Sequence, residues 1–389
     1  MRTGAESFGR WPLVLLLGGA LSSCASLPSP TLVEAVLAGD EERIVRVAAE
    51  KALRTQLPPE LQNLPELVQT LEVLLRSLWP EAQPEVASEL RYVKYTNAYE
   101  ARAIVDFDEG WLRVETVARE APLEKLKEAI VTTVLTPQDL RIEAIFDDTA
   151  PTLGAEPFLL GQILDEEGNA LRWRWRAERF ADALLASRVT SRATTLPSGE
   201  RRTLRQVQVA LVANHLKLRE KAYAEAVLST ARRYDVRPSL IYAVIEVESA
   251  FNPYAVSPAK AYGLMQIVPA TAGRDVYQKI KRRPGEPSKE SLFDPDFNID
   301  IGGAYLHLVD ERYLNEIRDS SSRSFATIAA YNGGVSTALR TFDQDPKRAV
   351  AQINRLSSDA VYERLRRHHP FAETRRYLEK VRSAEARYR

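Results

Sequence analysis

The sequence predicts an α+β domain over residues 86–215 followed by an all-α domain over residues 216–389. Three observations carry that division. From Arg91 onward apolar and polar residues alternate with a period of two, the pattern of half-buried strands. Between the strand-like runs lies a segment of helical period, roughly Leu123 to Leu135, so strands and helix are mixed. From about Leu218 the pattern is helical to the end, punctuated at Pro238, Pro253, Pro269, Pro284, Pro295, Pro346 and Pro370, with no strand run among them. The 389 residues, 27% charged and 45% hydrophobic, supply core for two or three domains and exclude a wholly disordered or collagen-like chain.

The first 85 residues belong to neither domain. Arg2 and Arg10 precede the apolar run Trp11–Ala20, and small residues follow it, which is the build of an export signal over residues 1–23. The run is shorter than the roughly 20 residues that a bilayer span requires. Cys24 is the only cysteine, which excludes an intramolecular disulfide. Leu21-Ser22-Ser23-Cys24 resembles the lipobox of bacterial lipoproteins, which implies an acylated Cys24 at the start of the mature chain. A plain secretory signal with an incidental cysteine is the alternative. Several acyl chains, each adding roughly 0.8 kcal/mol per buried methylene, would hold such a chain on a membrane. Ala25 in place of Asp after the cysteine implies the outer membrane, with the protein facing the periplasm of a Gram-negative bacterium. Across residues 24–85 the tether Leu27-Pro-Ser-Pro30 leads into one or two amphipathic helices, Thr31–Leu57 and Glu60–Leu78, expected to pack on the protein.

Within the α+β domain Ala101, Ala103, Val105 and Phe107 alternate with Arg102 and Asp106. After the turn at Asp108-Glu109-Gly110, Leu112, Val114 and Thr116 alternate with Arg113 and Glu115, which predicts a β-hairpin. The helix that follows should stop before Pro137, and Leu204 to Val212 reads as a further strand. Leu171-Arg-Trp-Arg-Trp-Arg176 also reads as a strand, with Leu171, Trp173 and Trp175 on one face and three arginines on the other. Either its tryptophans pack into a core or they form a platform for stacking sugar rings. A formal net charge of zero gives no support to nucleic-acid binding, which needs a basic footprint.

The chemistry centres on the helix predicted from Pro238 to Ser249. Leu240, Ile241, Val244, Ile245 and Val247 form an apolar wall, Pro238 suits the first turn, and Phe251-Asn252-Pro253 ends the helix. Glu248 therefore lies at a helix C-terminus, where the dipole opposes negative charge, and apolar neighbours would oppose it further. Both effects raise a carboxyl pKa; a shift from about 4.3 to about 6 amounts to roughly 2.3 kcal/mol and is what a general acid needs. Glu246 lies two positions earlier, about 200° around the helix, and faces elsewhere as a solvent or salt-bridge residue.

Around that helix stand Glu248-Ser-Ala-Phe-Asn-Pro253, Ser257, Gly263-Leu-Met-Gln266, Pro269-Ala-Thr-Ala272, Asn298-Ile299, Gly302, Tyr305-Leu306, Ala330-Tyr-Asn-Gly-Gly334, and Glu373-Thr374 with Tyr377. In this order they resemble the soluble-lytic-transglycosylase domain, the lysozyme-like fold of bacterial murein transglycosylases, over about Leu218 to Arg389. Tyr92-Val-Lys-Tyr-Thr96, Glu156-Pro-Phe158 and Phe180-Ala-Asp182 resemble the N-terminal domain of membrane-bound members of the same enzymes. The resemblance implies cleavage of the β-1,4 bond between N-acetylmuramic acid and N-acetylglucosamine in peptidoglycan strands, without water, to leave a 1,6-anhydro sugar. It makes Glu248 acid and then base. It makes Ser257, Gln266, Tyr331, Asn332 and Tyr377 contacts of the sugar or of Glu248, with Met265 an apolar cleft wall and Gly263 a point of close backbone approach. The family usually has Gly three residues after Ser257, where this chain has Lys260, so that loop is where a departure is expected.

Other chemistries find little footing. His215, His307, His368 and His369 show no metal-ligand spacing, no glycine loop suits a phosphate, and no cofactor is implied. Two alternatives remain: hydrolysis on the same fold, as in goose-type lysozyme, and a non-catalytic glycan-binding scaffold. The N-terminal domain is expected to be dispensable for the chemistry itself.

Overall fold

The computed structural model describes Leu75, Trp79, Glu85 and residues 87–97, 99–137, 156–197 and 199–389. All belong to one compact unit, Pro59–Arg389. The export signal and Cys24 lie outside the described residues, as do the helices expected over 31–57 and, apart from Leu75, over 60–78.

Five strands build one antiparallel sheet: β1 (Arg91–Thr96), β2 (Ala101–Asp106), β3 (Trp111–Thr116), β4 (Thr190–Thr195) and β5 (Arg201–Ala210), in the spatial order β1-β2-β3-β5-β4. The predicted hairpin is β2–β3, with Asp106 opposite Trp111 and Ala101 opposite Thr116 across the turn. Asp106 holds that turn by accepting from the N–H groups of Asp108 and Glu109 at 3.1 and 2.8 Å. Its polar face is not solvated as simple alternation suggests. Arg102 is sealed from water, paired with Glu115 at 2.7 Å and stacked 4.0 Å from the ring centroid of the equally buried Trp79. On the sheet lies α1 (Pro122–Val134), which brings Leu126, Ala129, Ile130 and Thr133 inward at helical spacing.

The segment Leu171–Arg176 corrects the sequence reading. It is not a strand: Trp173 is the N-cap of α2 (Arg174–Ser187), and Trp173 and Trp175 are 59% and 55% exposed. The helical period of Ala177, Phe180, Ala181 and Leu184, buried against α1, overrides the two-residue alternation before it. The i,i+4 pair Arg174–Glu178 at 2.8 Å supports the first turn. The tryptophans therefore do not pack in a core, and the common strand face that a sugar platform required is absent.

The remainder is helical: α3 (His215–Ala222), α4 (Ala224–Tyr234), α5 (Pro238–Ser249), α6 (Arg274–Lys279), α7 (Lys289–Leu292), α8 (Pro295–Leu308), α9 (Ser320–Gly333), α10 (Val335–Arg340), α11 (Pro346–Ile353), α12 (Ser358–His368) and α13 (Ala372–Arg387). Pro238 sits in a first turn as the sequence predicts, and Pro295 and Pro346, read there only as breaks between helices, do the same. Asp294, Asp319 and Asp345 cap their helices by accepting from N–H groups three residues on. The apolar helix α5 packs against α4 and α13, with Leu240, Ile241, Val244 and Ile245 buried. No helix among the described residues is long and apolar enough to cross a membrane.

Sheet and helices share a polar and aromatic seam. Buried Arg219 of α3 donates to Gln162 Oε1 at 3.0 Å and to the Phe107 carbonyl at 3.1 Å. Tyr254 Oη donates to the Pro137 carbonyl at 3.0 Å, and its ring lies 5.7 and 5.8 Å from those of Tyr92 and Phe158. The loop that follows α5 is thereby built into the α+β part.

Candidate active site

The end of α5 is a sharp turn. Ala250 adopts a left-handed conformation and returns its N–H to the Glu246 carbonyl at 2.9 Å, and Phe251 is left-handed as well. With Lys260 and Gln266, four non-glycine residues within this short stretch occupy a region that L side chains disfavour by about 1 kcal/mol each. Concentrated strain of this kind marks a loop set by the packing around it. Lys260, at φ +64, adopts the conformation in which glycine is the usual choice, so the departure at this position leaves the loop turn in place.

Glu248 is partly open to solvent, but its carboxyl is closely surrounded by protein. Its pKa is pushed up to about 8, first by desolvation and further by the negative charges of Glu373 and Glu89. The Tyr377 hydroxyl opposes this by donating toward the carboxyl. That contact falls short of a fully aligned hydrogen bond and leaves Tyr377 Oη, on a buried ring, without another partner. Tyr331 also faces the carboxylate, and its hydroxyl, like that of Tyr377, is held well above the ordinary phenol range by burial and by the charge of Glu248. Glu246 points away, as the helical offset requires: it pairs with Arg387 and accepts from Tyr388 Oη at 2.5 Å.

A second loop lies behind the first. Ser249 Oγ is 2.8 Å from the Leu264 carbonyl and fastens the end of α5 to the Gly263–Gln266 turn. Tyr331 Oη donates to the Met265 carbonyl at 2.8 Å. Asn298 of α8 is sealed from water; its Oδ1 accepts from Met265 N at 2.8 Å, and its Nδ2 donates to the carbonyls of Tyr262 and Leu292 at 2.8 and 2.7 Å. Gln266 donates through Nε2 to the carbonyls of Gly263 and Ala255 at 2.9 and 3.2 Å, while its Oε1 has no partner. Asn332 Oδ1 accepts from Thr374 Oγ1 at 2.6 Å, which leaves Nδ2 as its donor end.

One expected contact is placed differently from the sequence reading. Met265 does not line the cleft: its side chain is completely buried and packs so closely on α8 that a Cβ on Gly302 would collide with its sulfur. Only its backbone carbonyl serves the site, by holding Tyr331. Ser257 Oγ accepts from Ala261 N at 3.2 Å, a cap of the strained loop. Glu248, Tyr331 and Tyr377 come together electrostatically, whereas Gln266 is fixed to its own loop and Asn332 to Thr374. Sequence reasoning missed the bracing roles of Ser249 and Asn298 and the carboxyl of Glu89. A buried Asn on an otherwise apolar helix face was the available signal for Asn298; nothing local marked Glu89.

The arrangement defines an acid at a helix end whose carboxyl is enclosed by protein, with two tyrosine hydroxyls beside it. Residues 225–354 match the family model Transglycosylase SLT domain, and residues 58–222 match Membrane-bound lytic murein transglycosylase C, N-terminal domain. Proteins named membrane-bound lytic murein transglycosylase C from Yersinia pestis (strain Pestoides F) and from Yersinia pseudotuberculosis serotype O:1b (strain IP 31758) are each 42% identical over 316 residues. The match covers 81% of this chain and 87% of theirs. The chain belongs to the membrane-bound lytic murein transglycosylase C family. Among solved structures it is similar to an inactive mutant of lytic transglycosylase Slt from Pseudomonas aeruginosa, at 28% identity and a TM-score of 0.35. It is also similar to the 70 kDa soluble lytic transglycosylase of Escherichia coli, at 31% identity and a TM-score of 0.34. Each match covers 43% of this chain and only 24% of the solved one.

Proposed function

We propose that the protein is a lytic transglycosylase that cuts the β-1,4 bond between N-acetylmuramic acid and N-acetylglucosamine in peptidoglycan. The observation that carries this reading is the placement of Glu248 at the end of α5 with the Tyr377 hydroxyl directed at its carboxyl, a setting whose burial pushes the carboxyl up to about 8 and so favours its protonated form at neutral pH. Glu248 gives its proton to the bridging oxygen as the bond from C1 breaks. The resulting carboxylate takes a proton from the C6 hydroxyl of the same muramic acid, whose oxygen then bonds to C1. The acid is regenerated, no water is consumed, and the product ends in a 1,6-anhydro ring. An internal nucleophile has the proximity advantage, and the ring's own acetamido group can steady charge at C1, so no carboxylate nucleophile is required.

The surrounding groups fit these steps. Tyr377, still short of a full hydrogen bond, is poised to stabilise the carboxylate formed after the first transfer. Gln266 Oε1, buried and without a partner, would suit an acetamido N–H once the loop admits the sugar, and Asn332 Nδ2 suits a sugar oxygen. Ser257 and Tyr331 hold the two loops between which the strand would lie. Hydrolysis has one observation in its favour: the carboxyls of Glu373 and Glu89 both act on Glu248, and a second carboxylate is what activates water in a lysozyme.

Digestion of purified sacculi by the detergent-solubilised full-length protein, with mass spectrometry of the fragments, separates the two. Anhydro ends are expected; reducing ends, two hydrogens and one oxygen heavier, would assign hydrolysis, and no products from folded protein would favour a glycan-binding scaffold. Membrane attachment through acylated Cys24, in the outer membrane and facing the periplasm, completes the proposal. The intact mass of the same preparation should correspond to a chain beginning at Cys24 with acyl chains on it, and an unmodified Cys24 would refute the anchor.

A further inference from the structure

The α+β domain reaches the catalytic centre through two residues that precede its first strand. Asn252, four positions beyond Glu248, is completely buried. Its Oδ1 accepts from Tyr254 N at 3.0 Å, so its amide is oriented with Nδ2 as donor. Nδ2 donates to the Glu89 carbonyl at 3.2 Å and lies 3.5 Å from that of Ser88. On the other side the same segment is fixed to the sheet: Ser88 N donates to the Arg91 carbonyl, and Phe107 N to that of Leu90, both at 3.0 Å. The segment is therefore held from the sheet and from the turn that ends the catalytic helix.

We propose that Glu89 is a positioning residue of the transglycosylase centre, carried there by the Asn252 clamp and acting on the reaction through the protonation state of Glu248. The inference rests on Glu248 being the acid. Four groups from three elements act on that acid or feel its charge: the carboxyl of Glu89, from the segment that Asn252 clamps before β1, the hydroxyl of Tyr331 from α9, and the carboxyl of Glu373 and hydroxyl of Tyr377 from α13. None is a cation. Two negative charges from opposite ends of the chain thus disfavour a third at Glu248, and one of them belongs to the N-terminal domain. In this arrangement the domain is part of the catalytic electrostatics and not solely an orienting or anchoring module.

The consequence has a sign. Removing the Glu89 charge makes Glu248 easier to ionise, so the acid form is lost at lower pH and the basic limb of the pH–rate profile moves toward acid. The test is that profile, measured as anhydro-product formation by the full-length chain, for wild type, Glu89→Gln and Glu89→Lys. Glu89→Gln should move the basic limb down by about half a unit, read as an approximately threefold loss of relative rate at a pH on that limb. Glu89→Lys, which reverses the charge, should move it further. The position of the limb decides, independently of plateau height: a purely structural role would alter the plateau and the thermal midpoint and leave the limb in place. Coincident limbs for the three proteins would overturn the proposal. Glu248→Gln is measured alongside. If it is inactive and the limbs coincide, the role of Glu89 alone is wrong; if it is active, Glu248 is not the acid and both readings fall.

Discussion

Glu248→Gln is expected to abolish product formation, by about 10³-fold or more, and at the same time to stabilise the folded protein above neutral pH. The kinetic loss follows because the glutamine can neither give nor take the proton, and positioned acid–base catalysis is worth about 10²–10⁴-fold in each direction. The gain in stability follows from linkage. The folded-state pKa of about 8 lies above the ordinary value of 4.5, so between these limits the native protein holds a proton that the unfolded chain has released. Native stability therefore falls as pH rises from about 4.5 to about 8, and levels above. At pH 7 the penalty carried by wild type is on the order of 3 kcal/mol, and it is absent at pH 4. Gln, neutral in both states, carries no such penalty. Urea denaturation at a series of pH values should show the two proteins alike near pH 4 and the variant increasingly more stable toward pH 8. A difference that does not change with pH would show that burial does not oppose the charge of Glu248.

The catalytic helix is legible in the sequence because its signals are local. Pro238 starts it, the apolar period buries it, and Phe251-Asn252-Pro253 ends it, so the position of Glu248 at a helix terminus needs no knowledge of the rest of the chain. The β2–β3 hairpin is legible for the same reason, with its two-residue period on either side of a turn. Where local pattern and tertiary contact disagree, the sequence misleads. Trp173 and Trp175 alternate as in a strand, yet the helical run from Ala177 to Leu184 has a helix to bury against and claims Arg174 onward. Strand β4, Thr190–Thr195, is almost entirely exposed and offers no alternation to read. The match to the family's motifs suggests residues for the site but not which atom each one uses. Met265 acts through its carbonyl, Gln266 spends its amide N–H groups on the loop, and Glu89 arrives from more than 150 residues away through a carbonyl contact that no spacing encodes.

Gly263→Ala should be among the most damaging single-methyl additions in the helical part, and its cost can be separated into two causes. Gly263 has φ +72, a conformation that costs an L residue about 1 kcal/mol. A Cβ there would also lie well inside 3 Å of the Leu292 carbonyl oxygen and of Asn298 Nδ2, and 2.9 Å from Asn298 Cγ. Neither neighbour can yield. The first is backbone, and the second is the sealed amide that joins Met265, Tyr262 and Leu292, so moving it breaks hydrogen bonds in a place water cannot reach. Overpacking adds about 1–3 kcal/mol and the disrupted amide a similar amount, so that with the conformational cost the total loss is about 3–7 kcal/mol. The same shift would carry away the Met265 carbonyl that holds Tyr331 and the Gly263 carbonyl that orients Gln266, so activity should fall even where the fold survives. Gly168→Ala supplies the comparison: φ is +80, and nothing lies within 4 Å of an added Cβ. It bears the conformational cost alone and should lose about 1 kcal/mol with activity retained. Urea unfolding of the two variants beside wild type reads the difference. Equal losses would mean that the loop moves aside freely and that Asn298 does not hold it; a loss several kcal/mol larger at Gly263 would assign the rigidity of the acid's surroundings to one buried amide on α8.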